Sequence, residues 1–271
     1  MRKLTAELAS GDIQLPSFPD FTARVLKVLE DPRATPSRVA QVVGADAALA
    51  GRVLRLANSA FLNPSANPIT DLQRAVTRLG HQLVRCTAVS FALKQIELTS
   101  DKADLRPQLH ELWRKGTLVA SIAFVLARHT RAASPDQAMV MGLMHNVGRL
   151  YITVTAPRHD PAAGQWADVV HEWHPRVGRA ILKHWEFPAA VAAAVGAQNN
   201  WKRESYGGDA LTDVLIAASA LVPCVFYREL LDDVVTDVPP FKRLRLGAAD
   251  CKLLLADCAA QIRALQATLS G

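Results

Sequence analysis

The side chains in this sequence best suited to hold a metal or move a proton are its eight histidines and four cysteines. Cys86, Cys224, Cys251 and Cys258 form no CxxC pair, so neither a zinc knuckle nor a thioredoxin-like redox site is expected. On one helix, Cys251 and Cys258 would stand roughly 10 Å apart along the axis, too far for a disulfide. Plain thiols in a reducing compartment fit this pattern. His171, His174 and His184 are the densest histidine group. Pro175 follows His174, and proline is favoured in a first helical turn, so a helix is expected to start just after His174. His171 and His174 then need not share a face, and a metal role for His174 is not expected. His145 closes an apolar run ending at Met144 and lies near Gly148; a carbonyl or Asn146 would satisfy a buried ring there. Arg52 and Arg55, three apart, can present one basic face, as a groove-reading helix would need.

The elements that must position these residues all read as helices. Ser17 and Asp20 signal a start before Phe21, Val25, Leu26 and Leu29, and Asp31-Pro32 ends that helix. Thr35-Pro36 caps a short helix that stops at Gly44, and Asp46 caps the next, which ends near Asn58-Ser59. Residues 36–58 thus have a helix-turn-helix outline. Asn58-Ser59 reads as a helix end and turn, or as an edge facing a partner. The segment LNPSANPI at 62–69 is a loop. Thr70 and Gln73 form a capping box for a helix ending at Gly80, and an amphipathic stretch runs from Leu83 to Leu98. Ser134-Pro135 opens a helix through Leu143. Further helices are expected near 108–129, 164–172, 175–185, 189–199, 209–231 and 248–269. No strand alternation appears, so the chain reads as all-α.

The polar segment TSDKADLRP at 99–107 is the expected boundary. It divides an N-terminal helical subdomain, 15–98, from a second one, 108–271, and residues 1–14 read as a flexible arm. A mobile join is expected there. Half the residues are hydrophobic but only 6% are aromatic, so the core must be built from Ala, Leu and Val, which suits close helix packing. Net charge is +6, and residues 201–271 carry 8 basic against 9 acidic side chains, so the excess lies in 1–200. A charge this modest fits a solvated surface as well as an anionic partner. MRKLTAELASGD has no apolar core, and no apolar run approaches 18 residues, so neither a signal peptide nor membrane insertion is expected. The expected location is cytoplasmic.

Several blocks, taken in order, resemble the HDOD family over about residues 13–225. LPSFPDFTARVLKVLEDP and VAQVVGADAALAGRVLRLANSAF resemble its opening helices, and ITDLQRAVTRLGHQLVR its next stretch. LWRKGTLVASIAFVLAR, MGLMHNVGRLYI and HPRVGRAILKHWEFPAAVAAAV resemble its second half. The resemblance implies an N-terminal helical bundle packed on an HD-like helical domain. HD-type phosphohydrolases hold a divalent metal with a first His, an adjacent His-Asp pair and a distant Asp. Such a set lets a cation acidify a water for attack on phosphorus.

Carried onto this chain, the resemblance puts Lys115 at the first His, His145-Asn146 at the His-Asp pair and Ser219 near the distant Asp, with Asp213 close by. The family's later His falls at His174, and a His pair of some members at Gln198-Asn199. An ammonium and neutral amides are poor ligands. The implied protein is therefore a non-enzymatic bacterial regulator acting through protein contacts, with no metal or other cofactor. Response regulators or cyclic-dinucleotide signalling proteins are the partners the resemblance suggests. Three alternatives stand beside this reading: a phosphate-like ligand drawn by Lys115, DNA binding through 36–58, and residual metal-dependent phosphohydrolase activity.

Overall fold

A computed structural model describes residues 20–31, 33–59, 62–63, 67–99, 105–155, 163–202, 210–257, 259–260 and 263. The expected arm at 1–14, the Ser17 start signal, Cys258 and most of the segment 99–107 lie outside the described residues. Among those described, every regular element is helical and no strand occurs. Contacts divide them into two compact units, one holding residues 20 to 106 together with those described from Asp257 onward, the other holding 107 to 256.

The first unit begins with α1 (Asp20–Glu30), which buries Val25, Leu26 and Leu29. Thr35 Oγ1 accepts the Arg38 amide at the start of α2 (Pro36–Val43), at 3.3 Å. Asp46 Oδ1 accepts the Leu49 amide at the start of α3 (Ala47–Ala57), at 2.9 Å. Both caps satisfy donors that a helix start otherwise leaves unpaired. Asn58 closes α3 and clamps the following loop: its Nδ2 donates to the carbonyls of Leu54 and Ile69, and its Oδ1 accepts from Ile69 N. The capping reading of Asn58 is the one these bonds describe.

α4 (Leu72–Thr99) is two helices joined at Gly80, whose φ of +70° is reached at little cost only without a Cβ. The cap of its first part is Asp71, which accepts the Arg74 amide at 2.7 Å, and not the expected Thr70. A carboxylate one residue nearer the helix outcompetes the hydroxyl as acceptor. The second part buries Leu83, Val84, Cys86, Ala88, Val89 and Phe91. Helices α1, α2 and α3 all pack on α4, which is the spine of this unit.

The second unit has helices that are apolar on every side, as helices in the middle of a core are. α5 (Arg106–Thr130) is buried continuously from Gly116 to Ala127, and α6 (Pro135–Met144) from Ala138 to Met144. α10 (Ala210–Leu221) is buried from Leu211 to Ala218. Around them lie α7 (Val147–Thr155), α8 (Ala163–His184), α9 (Ala189–Ala197), α11 (Leu231–Asp237), α12 (Pro239–Arg243) and α13 (Ala248–Asp257). Small residues bring these helices close. A Cβ on Gly142 would lie 2.4 Å from Ala120 Cα, and one on Gly148 would lie 2.0 Å from the His174 carbonyl oxygen. Both glycines are required where α6 meets α5 and α7 meets α8.

Two expectations are corrected here. Pro175 does not start a helix; α8 runs through it without interruption. Proline removes the donor that the His171 carbonyl would receive four residues later. Asn199 Nδ2 donates to that carbonyl at 2.7 Å instead, so a neighbouring element offsets the defect. The helix expected over 209–231 ends at Leu221, where Pro223 opens a 3-10 turn.

Candidate functional site

Lys115, His145-Asn146 and Ser219 come from three separate places in the chain, yet all line one cavity of about 390 Å³ in the second unit. α5 presents Lys115, the end of α6 presents His145, and α10 presents Ser219. Arg149, His171, His174, Gln198, Asn199 and Trp201 line it as well.

His145 takes the C-cap position of α6 and is 3% exposed. Its Nδ1 lies 2.6 Å from the Gly142 carbonyl oxygen, which can only accept, so Nδ1 carries the proton and Nε2 the lone pair. Burial pushes its pKa down to about 4; the Gly142 carbonyl opposes this, and Lys115 and Arg149 reinforce it. The ring is therefore neutral at neutral pH. Gln198 Nε2 donates to the His145 and Val195 carbonyls at 3.1 and 2.9 Å, tying α9 to the end of α6. Asn146 Nδ2 donates to the Leu112 carbonyl at 3.4 Å, so its amide leans toward α5.

His174 is 1% exposed. Arg149 Nη2 lies 2.9 Å from its Nε2, and a guanidinium can only donate, so Nε2 accepts and the proton sits on Nδ1. That buried Nδ1 has no well-aligned hydrogen-bond partner among the described residues. Burial first, and Arg149 second, push the His174 pKa to about 3, while a hydrogen bond with the Asn199 side chain opposes the shift. The His171 and His174 ring centroids are 6.2 Å apart, which corrects the expectation that Pro175 would separate their faces.

Lys115 keeps more than a third of its surface in water, but burial of its surroundings and the nearby Arg149 lower its pKa. Burial also lowers the pKa of Arg149. Among the described residues no Asp or Glu lines the cavity. Glu111, one turn before Lys115, makes two bonds to Arg114, and Asp213 accepts both Nε and Nη2 of Arg243 at 2.9 and 2.8 Å. Among the described residues no group of three or more His, Cys, Asp or Glu side chains is arranged to hold a metal ion.

Among the lining residues, Arg149 and Trp201 are the cation and the aromatic that sequence reasoning assigned to no site. Arg149 stands three residues after Asn146, a spacing that shares a face once α7 begins at Val147. Trp201 reads as one more packing anchor, and only its 45% exposure and its Nε1 bond to the Gln198 carbonyl, at 3.1 Å, set it on the rim. On the first unit, the Arg52 guanidinium lies over the Phe91 ring, 5.3 Å from its centroid, and is half-buried, while Arg55 is exposed. Burial and Arg55 both lower the pKa of Arg52. The two arginines therefore differ in how much of each reaches solvent. No described helix is long and apolar enough to cross a membrane.

The fold has solved relatives. A protein of Shewanella amazonensis SB2B named "putative metal-dependent phosphohydrolase" superposes with a TM-score of 0.78 at 24% identity, over 99% of this chain and 97% of that one. An HDOD domain protein of unknown function from Geobacter sulfurreducens superposes at 0.68 with 25% identity, over 98% and 96%. A Marinobacter aquaeolei VT8 protein named "putative signal transduction protein" gives 0.59 at 19% identity, over 95% of this chain and 60% of that one. No curated protein matches the chain in sequence. The HDOD domain model matches residues 15–201, more than half the chain, and with the all-helical architecture around the cavity this places the chain in the HDOD family.

Proposed function

We propose that this chain is a non-enzymatic HDOD regulatory protein of the bacterial cytoplasm, which signals through protein contacts and carries a degenerate HD metal site. The observation that carries this reading is the lining of the cavity where Lys115, His145, Asn146 and Ser219 meet. Among the described residues it offers two cations, Lys115 and Arg149, and no carboxylate. A divalent ion would meet like charge there, and His145 Nε2 would be its one imidazole donor from the HD positions. Such a set does not suit the cation, so no hydrolytic step is assigned to it. Response regulators or cyclic-dinucleotide signalling proteins are the partner class proposed.

Metal analysis of the purified full chain, paired with phosphodiesterase assays in added Mn²⁺ and Mg²⁺, tests the reading. The expected result is no stoichiometric metal and no turnover. Bound metal with turnover that His145→Ala abolishes would overturn it.

A further inference from the structure

We propose that the cavity around Lys115 and Arg149 binds a small phosphorylated organic molecule, its phosphate on these two cations and a flat ring against Trp201. The inference rests on the non-enzymatic reading of the same site.

Three independent observations support it. The first is charge. Among the described residues the cavity that Lys115 and Arg149 face has no acidic lining residue. Burial lowers the pKa of both, and Arg149 lowers that of Lys115 further. An oxyanion between them would offset their mutual repulsion. Arginine suits a phosphate because its fork offers parallel donors, and lysine supplies a point charge beside it.

The second is an unfilled donor. His174 Nδ1 carries the proton, because Nε2 accepts from Arg149, and it is buried without a well-aligned acceptor, although the Asn199 side chain interacts with the ring. Buried N–H groups of this kind are rare in folded proteins, and an acceptor entering the cavity would satisfy it. The amides of Asn146 and Asn199 and the Ser219 hydroxyl add neutral polar groups to the same lining.

The third is size and shape. About 390 Å³ exceeds what one phosphate ion fills and lies in the range of small-molecule sites. Trp201 remains 45% exposed although its indole is anchored to the Gln198 carbonyl, so a flat apolar face stands fixed at the rim of a cationic cavity.

Calorimetric titration of the full chain, in phosphate-free buffer, separates these parts with three probes. 5′-AMP carries phosphate and ring, ribose 5-phosphate the phosphate alone, and adenosine the ring alone. The expected order is AMP tightest, ribose 5-phosphate weaker and adenosine without measurable binding. Lys115→Gln should weaken AMP about tenfold or more, whereas Lys115→Arg should stay within a few-fold. Lys115 is exposed, so neither change threatens the fold. Adenosine binding as tightly as AMP, AMP binding unchanged in Lys115→Gln, or no binding by any probe would overturn the proposal. Ribose 5-phosphate matching AMP would overturn the role of Trp201. Failure to bind leaves the non-enzymatic reading standing, whereas binding followed by Mn²⁺-dependent turnover would overturn that reading and keep the site.

Discussion

Acidification should destabilise this protein well before its carboxylates protonate, because two histidines are folded into it as neutral rings. His145 and His174 have pKa values pushed to about 4 and about 3, against 6.5 for a free histidine. Below pH 6.5 the unfolded chain binds two protons that the folded chain refuses. Stability from these groups is therefore complete above pH 6.5 and is lost as pH falls toward their folded values. Each ring contributes a slope approaching about 1.4 kcal/mol per pH unit in that window. Between pH 7.5 and pH 5 each loses about 2 kcal/mol, or about 4 kcal/mol together, a large part of a typical 5–15 kcal/mol stability. Both rings are nearly fully buried, so solvent screening does not reduce the figure much.

Urea unfolding followed by circular dichroism, repeated from pH 7.5 to pH 5, measures the loss. His174→Gln isolates one ring, since a glutamine oxygen can still accept from Arg149 and does not titrate. The variant should lose about half as much stability over the same interval. Equal losses in wild type and variant would refute the reasoning. So would a histidine Cε1 proton resonance, assigned to His174 in the folded protein, that titrates with a midpoint near 6.5.

Two further outcomes follow from packing and charge. Asp213→Asn removes the anion that takes two donors of Arg243. Breaking a buried pair costs roughly 3–5 kcal/mol, and because Arg243 keeps some solvent access the loss should fall at or below the low end, read from the urea midpoint. Gly148→Ala drives a Cβ into the His174 carbonyl, so α7 must move off α8; a loss of about 1–3 kcal/mol or more is expected in the same assay.

Much of this fold is legible in short stretches of sequence. Thr35-Pro36, Asp46 and Ser134-Pro135 mark helix starts because a side-chain oxygen meets an amide two or three residues on, a geometry that needs nothing from the rest of the chain. Gly80 marks the break in α4 for an equally local reason, its positive φ. The resemblance also brought seven cavity residues into view: Lys115, His145, Asn146, His174, Gln198, Asn199 and Ser219.

Local rules fail where a distant group changes the local balance. Pro175 reads as a helix start, yet α8 passes through it because Asn199 supplies the donor that the His171 carbonyl lost. The result places His171 and His174 side by side, which the sequence rule had separated. Arg149 and Trp201 carry no signal in their neighbours. The place of Arg149 follows from the close packing of Gly148 on His174, a contact between separate helices, and Trp201 is held at the rim by the turn after α9, whose position only the packed helices decide. Helix type and ends are thus decided by residues within a turn of one another, whose bonds form wherever the segment folds. The charge and shape of the cavity are decided only when α5, α6, α7, α8, α9 and α10 exclude water around the same point, because burial and mutual proximity set its pKa values and leave the His174 donor without a well-aligned acceptor.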